Sequence, residues 1–248
     1  MITIPESHIQ ESHNTVLKKL LDAVCDSIWV FGYGSIMWKT GFQYSEKKTG
    51  YIKGYGRRFW QKSETHRGTK SKPGRVATLV EDPESITWGE AFHIVGREHV
   101  RSALEHLGAR ECSIGGYTAS FVQFQPSDLS SDGFEALTFY ATPENHLFTG
   151  EEEVEHLAIS VFEAVGASGH NIEYVLKTAE HIREKMPHAE DDHLFPLADR
   201  ILELCSTMRL DAQEVIEAFR PDDDWTLTSA KHLGSSLYPS VRRNSWRA

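Results

Sequence analysis

The order of its hydrophobic patterns constrains the fold of this 248-residue chain more than any single motif does. Between residues 28 and 142 the patterns predict short strands, which polar or glycine-containing turns separate. From residue 150 onward the apolar residues follow the spacing of helices instead. Strands first and helices later predict an α+β domain, in which a small mixed β-barrel or curled sheet is flanked by helices. The predicted strands are 28–32, 51–61, 75–81, 87–95, 117–125 and 136–142.

Helical patterns lie on both sides of the strand region, and one helix interrupts it. The interrupting helix is predicted at 98–110, because its apolar residues recur at i, i+3, i+4 and i+7. An amphipathic helix is predicted at 14–25, with Asn14 as its N-cap. The second of the later helices has Asn171 as its candidate cap. These later helices are predicted at 154–165, 171–182, 190–206 and 211–219.

We expect three regions along the chain. The main domain is predicted at 28–206, between an N-terminal helical extension at 1–27 and a C-terminal extension at 207–248. Residues 221–248 mix aspartates with serine, proline and arginine and have no apolar period. We therefore expect part of the C-terminal extension to be flexible.

Composition and charge restrict the class of protein and its partners. The formal net charge is −10, so we expect no nucleic-acid partner and no binding to an anionic membrane surface. No apolar run approaches the roughly 20 residues of a membrane span, and Met1–Asp26 lacks the pattern of a secretory signal. Three cysteines, Cys25, Cys112 and Cys205, are widely spaced and odd in number, which disfavours a disulfide scaffold. These features predict a soluble cytoplasmic protein.

A glycine-containing turn follows the first predicted strand, in the stretch Trp29–Trp38. Gly32 and Gly34 allow backbone angles that other residues avoid, and successive N–H groups in such a turn can bind an oxygen that carries negative charge. The spacing is not that of a dinucleotide motif, because the third glycine of that motif would fall on Met37. No Gly-Lys-Ser/Thr follows either, so the turn is not a P-loop. A tight β-turn without any ligand remains the alternative.

A candidate proton carrier ends the predicted helix 98–110. Arg110 and Glu111 come shortly before the next strand, which Gly115, Gly116 and Tyr117 open. A carboxylate at a helix C-terminus lies near the negative end of the helix dipole, which raises its pKa, and burial acts in the same direction. A raised pKa suits a group that must accept and return a proton near neutral pH. The alternative is an exposed Glu111 that merely pairs with Arg110.

These features together resemble a known family. The segment Phe31–Trp38, FGYGSIMW, is similar to the FGYGSLIW signature of the ChaC-type γ-glutamylcyclotransferases, with Ile36 and Met37 in place of Leu and Ile. The resemblance runs in order from about residue 28 to 205. Further blocks that resemble the family are Arg57–Gln61, His66–Gly68, Pro73–Val76, Thr78–Pro83, Arg110–Glu111 with Gly115–Tyr117, Gly169–Tyr174 and Asp191–Leu194.

The resemblance implies a reaction and a set of site residues. The reaction is the cleavage of glutathione into 5-oxoproline and cysteinylglycine, and it requires no protein nucleophile, metal or cofactor. Glu111 is implied as the catalytic base and then acid. Glutathione is the implied small-molecule partner, and the oligomeric state is left open. The implied substrate-binding residues are Val30, Phe31, Gly32, Tyr33, Gly34, Ser35 and Tyr117, of which Tyr117 could instead only pack.

Other interpretations of the same residues stay open at this point. Arg58, Arg67 and Arg75 could bind the substrate carboxylates or form structural salt bridges. The substrate could be another γ-glutamyl amino acid or a γ-glutamylamine, and a non-catalytic binding module on the same fold is a third possibility. Further alternatives are a Cys112 nucleophile with His106 as base, a metal site among His188, Asp191, Asp192 and His193, and Glu81 as a second site carboxylate.

Overall fold

The computed structural model describes residues 15–22, 25–114, 116–128 and 131–218. Its strands are β1 (Ser27–Gly32), β2 (Glu46–Ser63), β3 (Gly74–Val95), β4 (Thr118–Pro126), β5 (Phe134–Tyr140), β6 (Val165–Gly166) and β7 (Gly169–His170). Its α-helices are α1 (Thr15–Asp22), α2 (Arg97–Leu107), α3 (Val154–Glu163), α4 (Asn171–Lys185), α5 (Leu194–Thr207) and α6 (Ala212–Ala218). A 3-10 turn covers Ser35–Met37, and a π-helical segment continues α2 over Gly108–Ile114.

Five strands close into a barrel in the order β1-β3-β2-β4-β5. The barrel closes where β1 runs parallel to β5, with Val30 opposite Leu137, whereas the other pairings in the barrel are antiparallel. Strands β6 and β7 form a separate two-stranded hairpin between α3 and α4. The prediction of an α+β fold around a small mixed barrel is therefore confirmed.

Two of the predicted strands are one strand. The pattern predicts a break between 81 and 87, but β3 runs through it and pairs with β2 on both sides. Four residues of β3, 82–85, stand opposite the single residue Gly54 of β2 and form a bulge. Pro83 lies in this bulge, where its missing N–H costs no ladder hydrogen bond. The polar and proline-containing sequence thus marks an irregularity within a strand and not its end.

Strand β1 is covered on both faces, which explains its continuous apolar sequence. Ile28 and Val30 belong to one hydrophobic cluster, together with residues of α1 and α2. Phe31 belongs to a second cluster, together with residues of α3, α4 and α5. Successive side chains of a strand point to opposite faces, so one short strand contributes to both clusters.

The N-terminal helix packs on the domain. Leu17 of α1 is buried in the same cluster as Leu104 and Leu107 of α2. The predicted cap Asn14 and the predicted end of this helix at 23–24 lie outside the described residues. No α-helix in the described segments is long and apolar enough to cross a bilayer.

Helix α4 begins differently from the prediction. His170 is its N-cap residue, because His170 Nδ1 accepts a hydrogen bond from the N–H of Ile172. Asn171, the predicted cap, instead binds β3: its Oδ1 accepts from Arg75 N over 2.6 Å and its Nδ2 donates to Arg75 O over 2.9 Å. These two bonds fix the start of α4 against the barrel.

The described part of the chain ends in packed structure. Val215 and Ile216 of α6 are buried in the larger hydrophobic cluster. The predicted C-terminal extension therefore contains at least one helix that packs on the domain, and its residues 219–248 lie outside the described residues.

Candidate active site

The glycine turn after β1 leads directly into the 3-10 turn. The carbonyl of Gly34 accepts a hydrogen bond from Met37 N, and the carbonyl of Ser35 accepts from Lys39 N over 2.8 Å. Glycine is required here for close packing: a Cβ on Gly32 would lie 2.8 Å from Cγ2 of Ile36, and one on Gly34 would lie 2.8 Å from Tyr174 Oη. Because the first N–H groups of a helical turn have no partner within it, those of Ser35 and Ile36 are left for other acceptors.

Glu111 was predicted to end the α-helix that became α2, but it lies within the π-helical segment that follows. The α-helical part ends at Leu107, and the wider turn carries the chain on to β4. The carbonyl of Glu111 accepts a hydrogen bond from Tyr117 N over 3.0 Å, which joins the segment to the residue before β4. Single π-helical turns inside α-helices occur frequently at functional sites.

The environment of Glu111 is largely closed to solvent. Its side chain is 14% exposed, so the alternative of an exposed glutamate is wrong. The pairing with Arg110, which belonged to that alternative, is present. Burial raises the pKa of Glu111, and the positive charge of Arg110 opposes this shift. The helix dipole was expected to raise this pKa first, whereas burial is the largest cause in the folded protein.

Arg110 connects Glu111 to the glycine turn. Its Nε lies 2.9 Å from Glu111 Oε1, and its Nη2 donates to Ser35 Oγ over 2.7 Å. Its Nη1 donates to the carbonyl of Lys39 over 2.6 Å. One guanidinium therefore sets the distance between two elements that are 75 residues apart in sequence. Sequence reasoning considered Arg110 only as a partner of Glu111 and missed its contact with Ser35.

Three buried tyrosines lie near Glu111. Tyr117 Oη donates to the carbonyl of Ala77, and Ala77 N donates to Tyr174 Oη over 3.1 Å. Tyr33 Oη donates to the carbonyl of Phe139 over 2.6 Å. Burial raises the pKa of all three tyrosines, and the charge of Glu111 raises each pKa further. They are therefore protonated at neutral pH. Tyr174 was missed as a site residue, although it ends the matched block Gly169–Tyr174.

A pocket of about 560 Å³ opens beside Glu111. Of the sequence-predicted site residues, it brings together Ser35, Glu111 and Tyr117 in its lining. The range 30–34 lies outside this lining: the side chains of Val30, Phe31 and Tyr33 are buried in the hydrophobic clusters. The pocket volume is in the range of small-molecule sites.

The arginines proposed for substrate carboxylates are all engaged within the protein. Arg75 makes a bidentate pair with Glu152, with both distances 3.0 Å, and Arg58 lies 3.0 Å from Asp192. Arg67 lines the pocket, but its guanidinium donates to Glu173 over 2.8 Å. The salt-bridge interpretation thus describes all three side chains.

Several polar residues of the pocket were not predicted as site residues. Among the five named next, His66 belongs to a block that resembles the family, and His106 was considered only as a base for Cys112. These residues are Lys39, Lys62, His66, His106 and His146.

The competing interpretations find little support in the geometry. Burial raises the pKa of the Cys112 thiol to about 12, so it stays protonated and is a poor nucleophile. Asp191 accepts hydrogen bonds from Arg57 and from Leu194 N, which gives it a structural role. Within the described segments no group of three or more His, Cys, Asp or Glu side chains could hold a metal ion. Glu81 is exposed and lies outside the pocket lining.

A larger groove of about 930 Å³ lies between α4, α5 and α6. Leu176, Arg183 and Ile216 are among its lining residues, and none of the sequence-predicted site residues belongs to it. The smaller pocket is the candidate active site, because it alone joins a buried carboxylate to the glycine turn.

Comparisons with known proteins identify the family. The model of the ChaC-like protein family matches residues 28–204. Glutathione-specific gamma-glutamylcyclotransferase 1 of Danio rerio is 43% identical over 176 residues, which cover 71% of this chain and 89% of that protein. The Homo sapiens protein of the same name is 42% identical over 175 residues, which cover 71% of this chain and 78% of that protein.

A solved structure has the same fold. The crystal structure of a γ-glutamyl cyclotransferase specific to glutathione from yeast has a TM-score of 0.65 and 26% identity, and the match covers 72% of this chain and 97% of that chain. The family model covers more than half of this chain and contains both Ser35 and Glu111. The chain therefore belongs to the ChaC-like family.

Proposed function

We propose that this protein cleaves glutathione into 5-oxoproline and cysteinylglycine. The α-amine nitrogen of the γ-glutamyl residue attacks its own γ-carbonyl carbon, which closes a five-membered ring. The bond from that carbon to the cysteine nitrogen then breaks. The observation that carries the proposal is the buried carboxylate of Glu111 in the wall of a pocket that also contains Ser35. The two relatives described above, at 42–43% identity, are named for this activity on glutathione.

Glu111 moves the proton. It accepts one from the attacking amine and returns it to the leaving nitrogen, so the carboxylate is regenerated in each cycle. Arg110 Nε lies 2.9 Å from Oε1 and orients the carboxylate, which exchanges the proton through one of its oxygens. Because burial raises the pKa of Glu111, its carboxylate is a stronger base than an exposed glutamate. Such a group contributes on the order of 10²–10⁴ in rate.

Ser35 and the turn around it bind the reacting carbonyl. Ser35 Oγ accepts a hydrogen bond from Arg110, so its own hydroxyl hydrogen can be donated to the γ-carbonyl oxygen as negative charge develops there. The N–H groups of Ser35 and Ile36 are further donors, and one such donor is worth about 10²–10³ in rate. The residues from Val30 to Gly34 support this turn through their backbone and their buried packing.

Tyr117 binds the other end of the glutamyl group. Its hydroxyl hydrogen is donated to the carbonyl of Ala77, so its oxygen lone pairs are left to accept from an N–H of the substrate's neutral α-amine. The same contact orients the amine toward Glu111. Holding amine and carbonyl together in this geometry removes several kcal/mol of the entropic barrier.

The test is a product assay on reduced glutathione with the purified protein. The wild type should release equal amounts of 5-oxoproline and cysteinylglycine, and Glu111→Gln should lose at least about 100-fold in kcat with an unchanged circular dichroism spectrum. Glu105→Gln, which changes an exposed glutamate of α2, is the matched control. Folded wild type that releases no 5-oxoproline would contradict the proposal. Faster turnover of γ-glutamyl-alanine would move the preference to another γ-glutamyl substrate.

We also propose where the catalytic unit lies and where it works. The unit comprises residues 28–206, with 1–27 and 207–248 as extensions, and the family match over 28–204 supports this division. We propose a cytoplasmic location, supported by the three free cysteines. The net charge of −10 supports the absence of a nucleic-acid or membrane partner.

A further inference from the structure

The cationic side chains of the pocket fall into two classes. Arg67 and Arg110 are each paired with a buried or half-buried carboxylate, at 2.8 Å and 2.9 Å. Among the described residues, the ammonium groups of Lys39 and Lys62 have no carboxylate partner and no hydrogen-bond acceptor. A pocket for an anion needs charge that the protein has not already neutralised, so these two lysines are the candidates.

Two histidines of the pocket, His66 and His106, do not supply that charge at neutral pH. Burial lowers the pKa of His66, and the charges of Arg110, Arg67 and Lys39 lower it further. Burial and Arg110 also lower the pKa of His106. Lys39 and His66 both line the pocket.

The backbone of Lys39 is bonded directly to the elements that carry the reacting groups, whereas that of Lys62 lies in β2, where it pairs with Arg75 and donates to the carbonyl of Leu147. The carbonyl of Lys39 accepts from Arg110 Nη1 over 2.6 Å, and its N–H donates to the carbonyl of Ser35 over 2.8 Å. The same guanidinium contacts Glu111 and Ser35. The Arg110 guanidinium that connects Glu111 to the glycine turn thus also holds the backbone of Lys39. The side chain of Lys39 remains free to reach a ligand.

The proposed substrate has a charge that Lys39 can reach. Beyond the bond that breaks, glutathione extends over two residues, and an extended dipeptide spans roughly 7 Å. Its glycine ends in a carboxylate, which the reaction at Glu111 does not use. Lys39 lines the same pocket as Glu111 and Ser35, and its ammonium group is a chemically suitable partner for this carboxylate.

We propose that Lys39 binds the glycine carboxylate of glutathione and thereby determines the preference for γ-glutamyl peptides that end in a carboxylate. This inference rests on the proposed function and adds a specificity-determining residue to it. Lys39 takes no part in proton transfer, so its effect is on KM and not on kcat.

The test compares glutathione and its glycinamide form as substrates of the wild type and of lysine variants. Lys39→Met should raise KM for glutathione about tenfold with kcat within about twofold, and Lys39→Arg should restore KM. Wild type acting on the glycinamide form of glutathione should show the same rise in KM. Lys39→Met should have the same KM for the two substrates, because the side chain that binds the carboxylate is gone. Lys53→Met, which removes an exposed lysine outside the pocket, is the charge-matched control.

The outcomes separate this inference from the proposed function. Wild type that yields no 5-oxoproline from glutathione overturns both. Active wild type with Lys39→Met still tenfold better on glutathione than on the glycinamide overturns only the role of Lys39. If Lys62→Met loses the discrimination between the two substrates and Lys39→Met keeps it, the glycine carboxylate is bound by Lys62. This result also overturns the role of Lys39. Calorimetry can measure the Kd of both substrates for Glu111→Gln and for the double variant Glu111→Gln/Lys39→Met. These Kd values give the same comparison without turnover.

Discussion

Arg110 Nε lies 2.9 Å from Glu111 Oε1 while the rest of the same guanidinium binds the glycine turn through Ser35 and Lys39. This contact has two opposite consequences for the proposed proton carrier. It fixes the carboxylate in position, and its positive charge lowers a pKa that burial raises. The basicity of Glu111 is thus a balance between desolvation and one ion pair.

The first prediction concerns the pH profile of Arg110→Met. Removing the guanidinium leaves burial unopposed, so the pKa of Glu111 rises further. The proposed base must be ionised, and the acidic limb of kcat/KM therefore moves to higher pH in the variant. The measurement is kcat/KM for glutathione between pH 5 and 9. Arg101→Met, which breaks an exposed pair in α2, should leave the limb in place, and a shift to lower pH in Arg110→Met would contradict the balance described above.

The second prediction concerns the stability of Glu111→Gln. The folded-state pKa of Glu111 lies above its unfolded value, so this group favours folding at low pH, and that contribution is lost as pH rises through the folded-state pKa. At neutral pH the ionised group is therefore a net cost to the fold. Glutamine removes this cost, and the melting temperature at pH 7.5 should equal or exceed that of the wild type while activity is lost. A melting temperature several degrees lower would show that the Arg110 pair outweighs desolvation.

The third prediction compares two adjacent arginines of β2. Arg57 pairs with Asp191 over 2.6 Å, with side-chain exposures of 1% and 9%, whereas the partner of Arg58, Asp192, is 79% exposed. Arg57→Met leaves a buried carboxylate without its cation and should lower the free energy of unfolding by about 3–5 kcal/mol. Arg58→Met should lower it by less than about 1 kcal/mol. Urea denaturation with equal m-values measures the difference, and equal losses in both variants would contradict it.

The fourth prediction concerns acid unfolding and His193. This histidine accepts a hydrogen bond from Phe59 N, and burial, followed by the charge of Arg58, lowers its pKa to about 4. A depressed pKa stabilises the fold above the ordinary value of about 6.5, and this stability is lost as pH falls toward about 4. The loss at pH 4 is on the order of 3 kcal/mol. His193→Gln keeps an acceptor without the titration, so its free energy of unfolding should fall less between pH 7 and 4.

The fold class and the family could be predicted from the sequence because their signals are local or ordered along the chain. Strand and helix periodicities gave the α+β arrangement, and matched blocks from Phe31 to Leu194 gave the family, which the family model confirms. The division into 28–206 and two extensions stays a prediction. The predicted break between two strands at 82–86 was wrong. Pro83 cannot donate a backbone hydrogen bond at its own position, but it does not prevent strand pairing on either side.

The site was predicted less completely than the fold. Ser35, Glu111 and Tyr117 do meet at one pocket, whereas the side chains of Val30, Phe31 and Tyr33 are buried in the core. The sequence does not show whether a residue of the glycine turn acts through its side chain or its backbone. An apolar residue that packs in the core and one that lines a pocket look the same in sequence.

By itself the sequence determined that strands precede helices, where the glycines lie and which family the chain belongs to. Only the tertiary structure decided that Glu111 is shielded from water, that Arg110 ties it to Ser35, and that Lys39 keeps an unpaired charge at the same rim. Desolvation of Glu111 and the hydrogen bond from Arg110 to Ser35 depend on groups that are up to 75 residues apart in sequence, and their positions are fixed only when the barrel and helices have packed.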